Sequence, residues 1–193
     1  MGARGYRLGR RQVEAERTRS AILSAARQLV AEFGAESSVG KVAERAGVSR
    51  ITVYNQFGSK AGLLDALAAE AGPAPGGARG ADTDSDPVDD LRRRIEQACA
   101  AWAADPSLHR QLQGHRRGHG GEPELDRALA ERLAARDRLR AGCSLREAED
   151  VIGLLTSFPA FDRLHKSGRR SPSGVSEILM RMASEFIGPL SAG

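Results

Sequence analysis

The run SVGKVAERAGVSRITVYNQFGSKAGLL, residues 38–64, constrains the fold more than any other stretch of the chain. It sets a short helix, a glycine turn and a second short helix at a spacing suited to a DNA groove. Ala43 is small enough to let two helices approach closely. Four residues later, Gly47 offers the left-handed backbone that a sharp turn between helices needs. Val48 supplies an apolar plug, and Ser49 is a good N-cap for a helix starting at Arg50, because its hydroxyl can accept from an unpaired N–H of the first turn. The second helix is barely two turns long. Its period directs Val53 and Phe57 inward and leaves Arg50, Ile51, Tyr54 and Asn55 on the outer face, with Thr52 at the margin.

The pattern A-x(3)-G-V-S-x-x-T-V-Y-x-x-F-x-S-K-x-x-L-L, formed by Ala43, Gly47, Val48, Ser49, Thr52, Val53, Tyr54, Phe57, Ser59, Lys60, Leu63 and Leu64, closely resembles the tetracycline-repressor (TetR) family of regulators. The match covers roughly residues 17–70. The remainder is similar to the family in being helical and in its layout.

Charge is distributed to match. Residues 1–60 hold eleven Lys and Arg against five acids, whereas residues 61–193 hold eighteen against twenty. A basic head on a near-neutral body is the electrostatic footprint of phosphate binding.

Residues 1–13 carry Arg4, Arg7, Arg10 and Arg11 among glycines, with too little apolar content to fold alone, and are expected to form a disordered basic arm. This arm either reaches a minor groove or serves as a tail that raises nonspecific affinity. A helix over 14–33 has Ile22, Ala26, Leu29, Val30 and Phe33 as its apolar stripe and ends at Gly34. Helices over 39–46, 50–56 and 60–71 complete a head spanning 14–71. Residues 72–87, GPAPGGARGADTDSDP, hold seven Gly or Pro in sixteen and read as a flexible linker.

Residues 88–193 read as a C-terminal helical domain. Its helices are expected over 87–104, from 106 through Leu112, over 123–141, over 144–166 with Pro159 kinking or splitting it, and over 172–187. Ser144 and Glu147 form the start of a capping box. The dense Arg and acid pairs of 123–141 predict a surface helix with one buried stripe. No strand alternation appears, so the fold class is all-α.

A recognition helix fits a major groove about 12 Å wide, where base discrimination needs donors and acceptors that match base edges. Arg50 is the candidate for bidentate contact to guanine, Ile51 or Thr52 for a thymine methyl, and Tyr54 for a base or a phosphate. The resemblance implies that Ser38, Tyr54, Asn55 and Lys60 clamp phosphates, positioning the head without reading sequence. Several family members also read a base from the first helix of the motif, but the matching position here is Gly40, which has no side chain to offer. Lys41 beside it is either a contact or a solvated charge.

One head offers few base contacts, so pairing over a palindromic operator is expected. By resemblance, the helices over 144–166 and 172–187 form a homodimer interface, with Leu154, Leu155, Phe158, Ile178, Met182 and Phe186 either at that interface or in the subunit core. The resemblance also implies a small-molecule effector, apolar or amphipathic. Trp102, Leu108, Leu112, Leu155, Phe158 and Phe161 either line its pocket or fill the core.

Other classes find little support. The chain has no Gly-x-Ser-x-Gly, no phosphate-binding Lys-Ser/Thr loop and no zinc-protease motif, so no enzymatic activity is expected. No cofactor is called for. His115 and His119 have metal-ligand spacing but lie among glycines beside Arg116 and Arg117, which favours a solvated loop over a metal site. Cys99 and Cys143 read as ordinary thiols. No apolar run approaches the ~18 residues of a membrane span, and a signal peptide's apolar stretch is missing, so no membrane partner and a cytoplasmic location are expected. The expectation is therefore a dimeric DNA-binding repressor released by a small molecule. The alternative is a DNA-binding regulator without such an effector, controlled by a protein partner or by abundance.

Overall fold

The computed structural model describes residues 3–72, 85–113 and 123–188. The described residues form α1 (Ala3–Phe33), α2 (Val39–Arg45), α3 (Arg50–Phe57), α4 (Lys60–Ala71), α5 (Pro87–Ala104), α6 (Pro106–Gln113), α7 (Pro123–Ala135), α8 (Leu145–Leu155), α9 (Phe158–Asp162) and α10 (Pro172–Ala183), with a π-helical turn at Arg163–Ser167. The all-α class expected from the sequence is the class observed. Most of the expected 72–87 linker, and His115 and His119, lie outside the described residues. Among the described residues, no helix is long and apolar enough to cross a membrane.

The chain divides into two compact units, 1–68 with 107–117 and 69–106 with 118–193. In the first, Ile22, Ala26, Leu29 and Val30 of α1 form the buried stripe expected. They share the unit's core residues with Val42 and Ala43 of α2, Val53 of α3, and Leu63, Leu64 and Leu67 of α4. Three expectations need correction here. The backbone is helical from Ala3, where composition predicted a disordered arm up to residue 13; once the turn beyond residue 14 exists, adding residues costs far less than nucleating them, and Arg and Ala propagate a helix well. Phe33 is 59% exposed, because as the last residue of α1 its ring stays outside and lies under the Lys41 ammonium, 5.0 Å from the ring centre. Finally, α6, expected in the C-terminal domain, clusters with the first unit, burying Leu108 and Leu112.

In the second unit, α5 packs against α7 and α10, and α7 against α8. Leu91, Ile95, Cys99 and Trp102 of α5 join Leu133, Ile152, Leu155, Phe158, Phe161, Val175 and Leu179 in one core cluster. The expected helix over 144–166 is split after Leu155: Ser157 caps α9, and Pro159 falls in its first turn, where a missing N–H leaves no helical bond unmade. The helix expected to reach residue 141 stops at Ala135, and Asp137 takes a left-handed conformation. The chain then pairs with the segment after α10, which itself ends at Ala183 rather than 187. Arg140 N donates to Phe186 O at 2.9 Å and Gly188 N to Arg138 O at 2.8 Å.

The dense charges of 123–141 predict a helix turned to water, but not all the charges of α7, or of α5 beside it, lie there. Asp126 is buried and ion-paired with Arg94. Asp90 pairs with Arg93 and Arg132 and accepts from the Ser85 hydroxyl, while Arg138 reaches Asp86 at 3.1 Å. Burial pushes the Asp90 carboxyl up, but the hydrogen bonds from Ser85 and Arg132 and the charges of Arg132 and Arg93 outweigh it and hold the group below its ordinary value.

Candidate nucleic-acid interface

The interface is built on three serine caps. Ser38 Oγ accepts from Lys41 N at 3.3 Å to open α2, Ser49 Oγ from Thr52 N at 3.0 Å to open α3, and Ser59 Oγ from Gly62 N at 3.0 Å to open α4. A hydroxyl that accepts in this way still carries a proton of its own to donate. Between α2 and α3 the backbone turns at Gly47, with φ of +67°, a conformation that favours glycine, and Val48 N returns to Ala43 O at 2.9 Å. Gly58 ends α3 by donating to Tyr54 O at 2.7 Å.

The outer face of α3 is as the helical period requires. Ile51 is 71% exposed and Tyr54 48%, Arg50 and Asn55 are exposed, and Val53 is buried as the anchor. Thr52 is half-buried, and its hydroxyl lies 2.9 Å from Ser49 Oγ, so the cap engages its hydroxyl and not the methyl expected to contact thymine. Phe57 is only partly buried, and the Arg19 guanidinium covers its ring. Ser38 is exposed at the start of α2. The Lys60 ammonium sits 3.6 Å from a Glu36 carboxylate oxygen that is largely in solvent, a surface pair that a phosphate can replace at small cost.

Lys41 is neither a fully solvated charge nor free of contacts, since it rests on Phe33. Missed by sequence reasoning was the course of Arg50, whose guanidinium lies across Gly40 of α2. The signal that could have found it was a glycine inside a short helix, where it is otherwise unfavourable.

In the second unit, Trp102, Phe158 and Phe161 form a buried aromatic trio. Ring centres are 6.0 Å apart for Trp102 and Phe158, 5.7 Å for Trp102 and Phe161, and 6.1 Å for Phe158 and Phe161. Leu155 is buried in the same core, whereas Leu108 and Leu112 belong to the first unit, so the six residues expected at a pocket are divided between the units. The six named for a dimer interface also separate. Leu154 is 58% exposed and Met182 50%, and Ile178 is half-buried. Leu155, Phe158 and Phe186 are instead buried in the unit's own core. Burial pushes the Cys99 thiol up to about 11, with the charge of Glu96 adding to it, and moves Cys143 in the same direction, with Glu147 contributing. Both are free thiols, and the upward shifts disfavour the reactive thiolate.

Residues 22–67 match the family model described as bacterial regulatory proteins, tetR family. No curated protein matches the chain. Among solved structures, the chain is similar to native NalD, described as the secondary repressor of the MexAB-OprM multidrug efflux pump in Pseudomonas aeruginosa. The two are 25% identical over 93% of this chain and 100% of that one, with a TM-score of 0.67. A structure titled as the molecular basis for control of antibiotic production by bacterial hormones is also 25% identical, over 88% of this chain and 97% of its own, with a TM-score of 0.60. FadR from Bacillus subtilis, solved in complex with stearoyl-CoA, shares the fold at 18% identity, covering 84% and 96%, with a TM-score of 0.61.

Proposed function

Because the chain belongs to the tetracycline-repressor family of bacterial regulatory proteins and is a DNA-binding transcription regulator, we propose that it acts as a homodimeric repressor that holds a palindromic operator and is released by a small apolar or amphipathic effector. The observation that carries the DNA-binding part is the outer face of α3. Arg50, Ile51, Tyr54 and Asn55 stand exposed together on a two-turn helix that buried Val53 anchors and Ser49 caps. Arg50, Ile51, Thr52 and Tyr54 meet base edges, while Ser38, Tyr54, Asn55 and Lys60 hold phosphates. The likeness to NalD, itself a repressor, supports the sign of regulation.

Pairing uses the outward side chains of α8 and α10. Leu154, Ile178 and Met182 are among the apolar groups there that the subunit leaves uncovered or half-covered. Paired heads would reach successive major grooves about 34–36 Å apart. The effector acts by binding the DNA-incompetent arrangement better than the competent one. Trp102, Leu155, Phe158 and Phe161 are the proposed contacts in the second unit.

One observation favours a second reading, a regulator with no small-molecule effector: the aromatic trio packs ring against ring and is almost wholly buried. Trp102 is the chain's single tryptophan, so its emission separates the two readings. A compound that frees operator DNA and also shifts Trp102 emission supports the effector; DNA release by no member of a broad apolar panel supports the alternative.

The DNA-binding reading is tested by selection of genomic fragments with the purified protein at near-physiological salt. Enrichment of a palindromic motif is expected. Capture that is salt-sensitive and indifferent to sequence would refute sequence-specific regulation.

A further inference from the structure

Gly40 lies inside α2, where a glycine weakens a short helix and contributes no side chain to DNA. Its surroundings explain why it is there. A Cβ built at residue 40 would meet Arg50 Nη2 at 2.7 Å, Nε at 2.9 Å and Cζ at 3.0 Å. Real carbon atoms do not sit that close to a guanidinium, so the observed course of Arg50 exists only with glycine at 40. Arg50 is the first residue of α3, and its guanidinium lies against Gly40 of the neighbouring helix α2. No described carboxylate is paired with it, so its donors are not spent within the protein.

We propose that Gly40 is a specificity-determining residue: it is the seat on which the Arg50 guanidinium is held, so that one arginine, oriented by both helices of the motif, does the base reading that α2 itself cannot do. A long side chain that is held before binding loses less rotamer freedom when it engages a base, and its fork of donors arrives in a set direction. The inference rests on the base-reading role of Arg50 proposed above. Because the obstructing atoms are the far end of a flexible side chain, a methyl at residue 40 displaces Arg50 and leaves the backbone in place, and it improves the helix propensity of α2.

The test compares full-length wild type, Gly40→Ala, Arg50→Ala, Gly40→Ala/Arg50→Ala and, as a phosphate-contact control, Lys60→Ala, by selection from a randomised DNA pool alongside thermal melting. Gly40→Ala is expected to melt at or above the wild-type temperature and to lose discrimination, roughly tenfold, at the same base pair that Arg50→Ala affects. The double variant is expected to match Arg50→Ala alone, since an empty seat has nothing to hold. If Arg50→Ala erases a preference that Gly40→Ala retains, or if the two losses add in the double variant, the seat is overturned while the base-reading role survives. Uniform weakening of every sequence by Gly40→Ala overturns it as well. An Arg50→Ala variant with wild-type preferences overturns both the base-reading role and the seat, and a wild type that selects no motif overturns the regulator reading on which both depend.

Discussion

The guanidinium carbon of Arg19 stands 4.7 Å from the centre of the Phe57 ring, joining the middle of α1 to the last residue of the recognition helix. The contact covers a ring that the head leaves partly open to water. Arg19→Ala is expected to destabilise the protein by about 0.5–1 kcal/mol. A double-mutant cycle with Phe57→Leu in urea unfolding checks it: the two losses should be less than additive, and strict additivity would mean that the pair contributes no coupling.

Arg50 and Lys60 should divide the work of binding. Arg50→Ala is expected to cost about 1–3 kcal/mol at one base pair per half-site and to relax preference there. Lys60→Ala should weaken specific and random DNA about equally and reduce the salt slope by about one per head. Titrations of both DNAs at several salt concentrations decide the matter. Equal effects of the two variants on both DNAs would end this division of labour.

Acid sensitivity should trace in part to Asp90. Its carboxyl is held below the ordinary value in the folded chain, so the unfolded state takes up the proton first as pH falls, at about pH 4. The stabilisation is thus fully present above about pH 4 and is lost as pH falls through the folded value. Asp90→Asn should lower stability at neutral pH by roughly 1–3 kcal/mol and flatten the loss below about pH 4. Denaturant unfolding measured across this range gives the comparison, and parallel curves for the two proteins would exclude Asp90 as the source.

Leu154 and Met182 should separate from Leu155 in effect. Charged replacements at the two exposed positions, Leu154→Glu with Met182→Glu, are expected to yield a folded monomer with weakened operator binding. Leu155→Ala should instead cost about 2–5 kcal/mol of folding stability, as a truncation in a filled core. Sedimentation and thermal melting distinguish the two. A double-charge variant that still sediments as a dimer would exclude this face as the interface.

The helices of the head could be read directly from the sequence because the information is local. Ser38, Ser49 and Ser59 cap the turn that follows each of them, Gly47 meets a demand of its own backbone, and Val53 is buried by helical period alone. Each of these depends on neighbours within about one turn of chain. The body was less legible for a corresponding reason. An apolar helix such as 144–166 has more than one face to bury, and period alone does not say that Leu155 and Phe158 turn into the core while Leu154 stays outside.

By itself, then, the sequence determined an all-α chain, the motif at 38–64 and the residues that α3 presents outward. Tertiary structure alone decided that Asp126 is buried against Arg94, thirty-two positions away, that α6 clusters with the head, and that Arg50 lies on Gly40. Local propensity acts over a few residues, and a side chain's final position is set by whichever distant surface excludes or admits it. A glycine inside a short helix hints at a close approach, but the sequence does not say which residue's side chain approaches it. Only the approach of a second helix decides that.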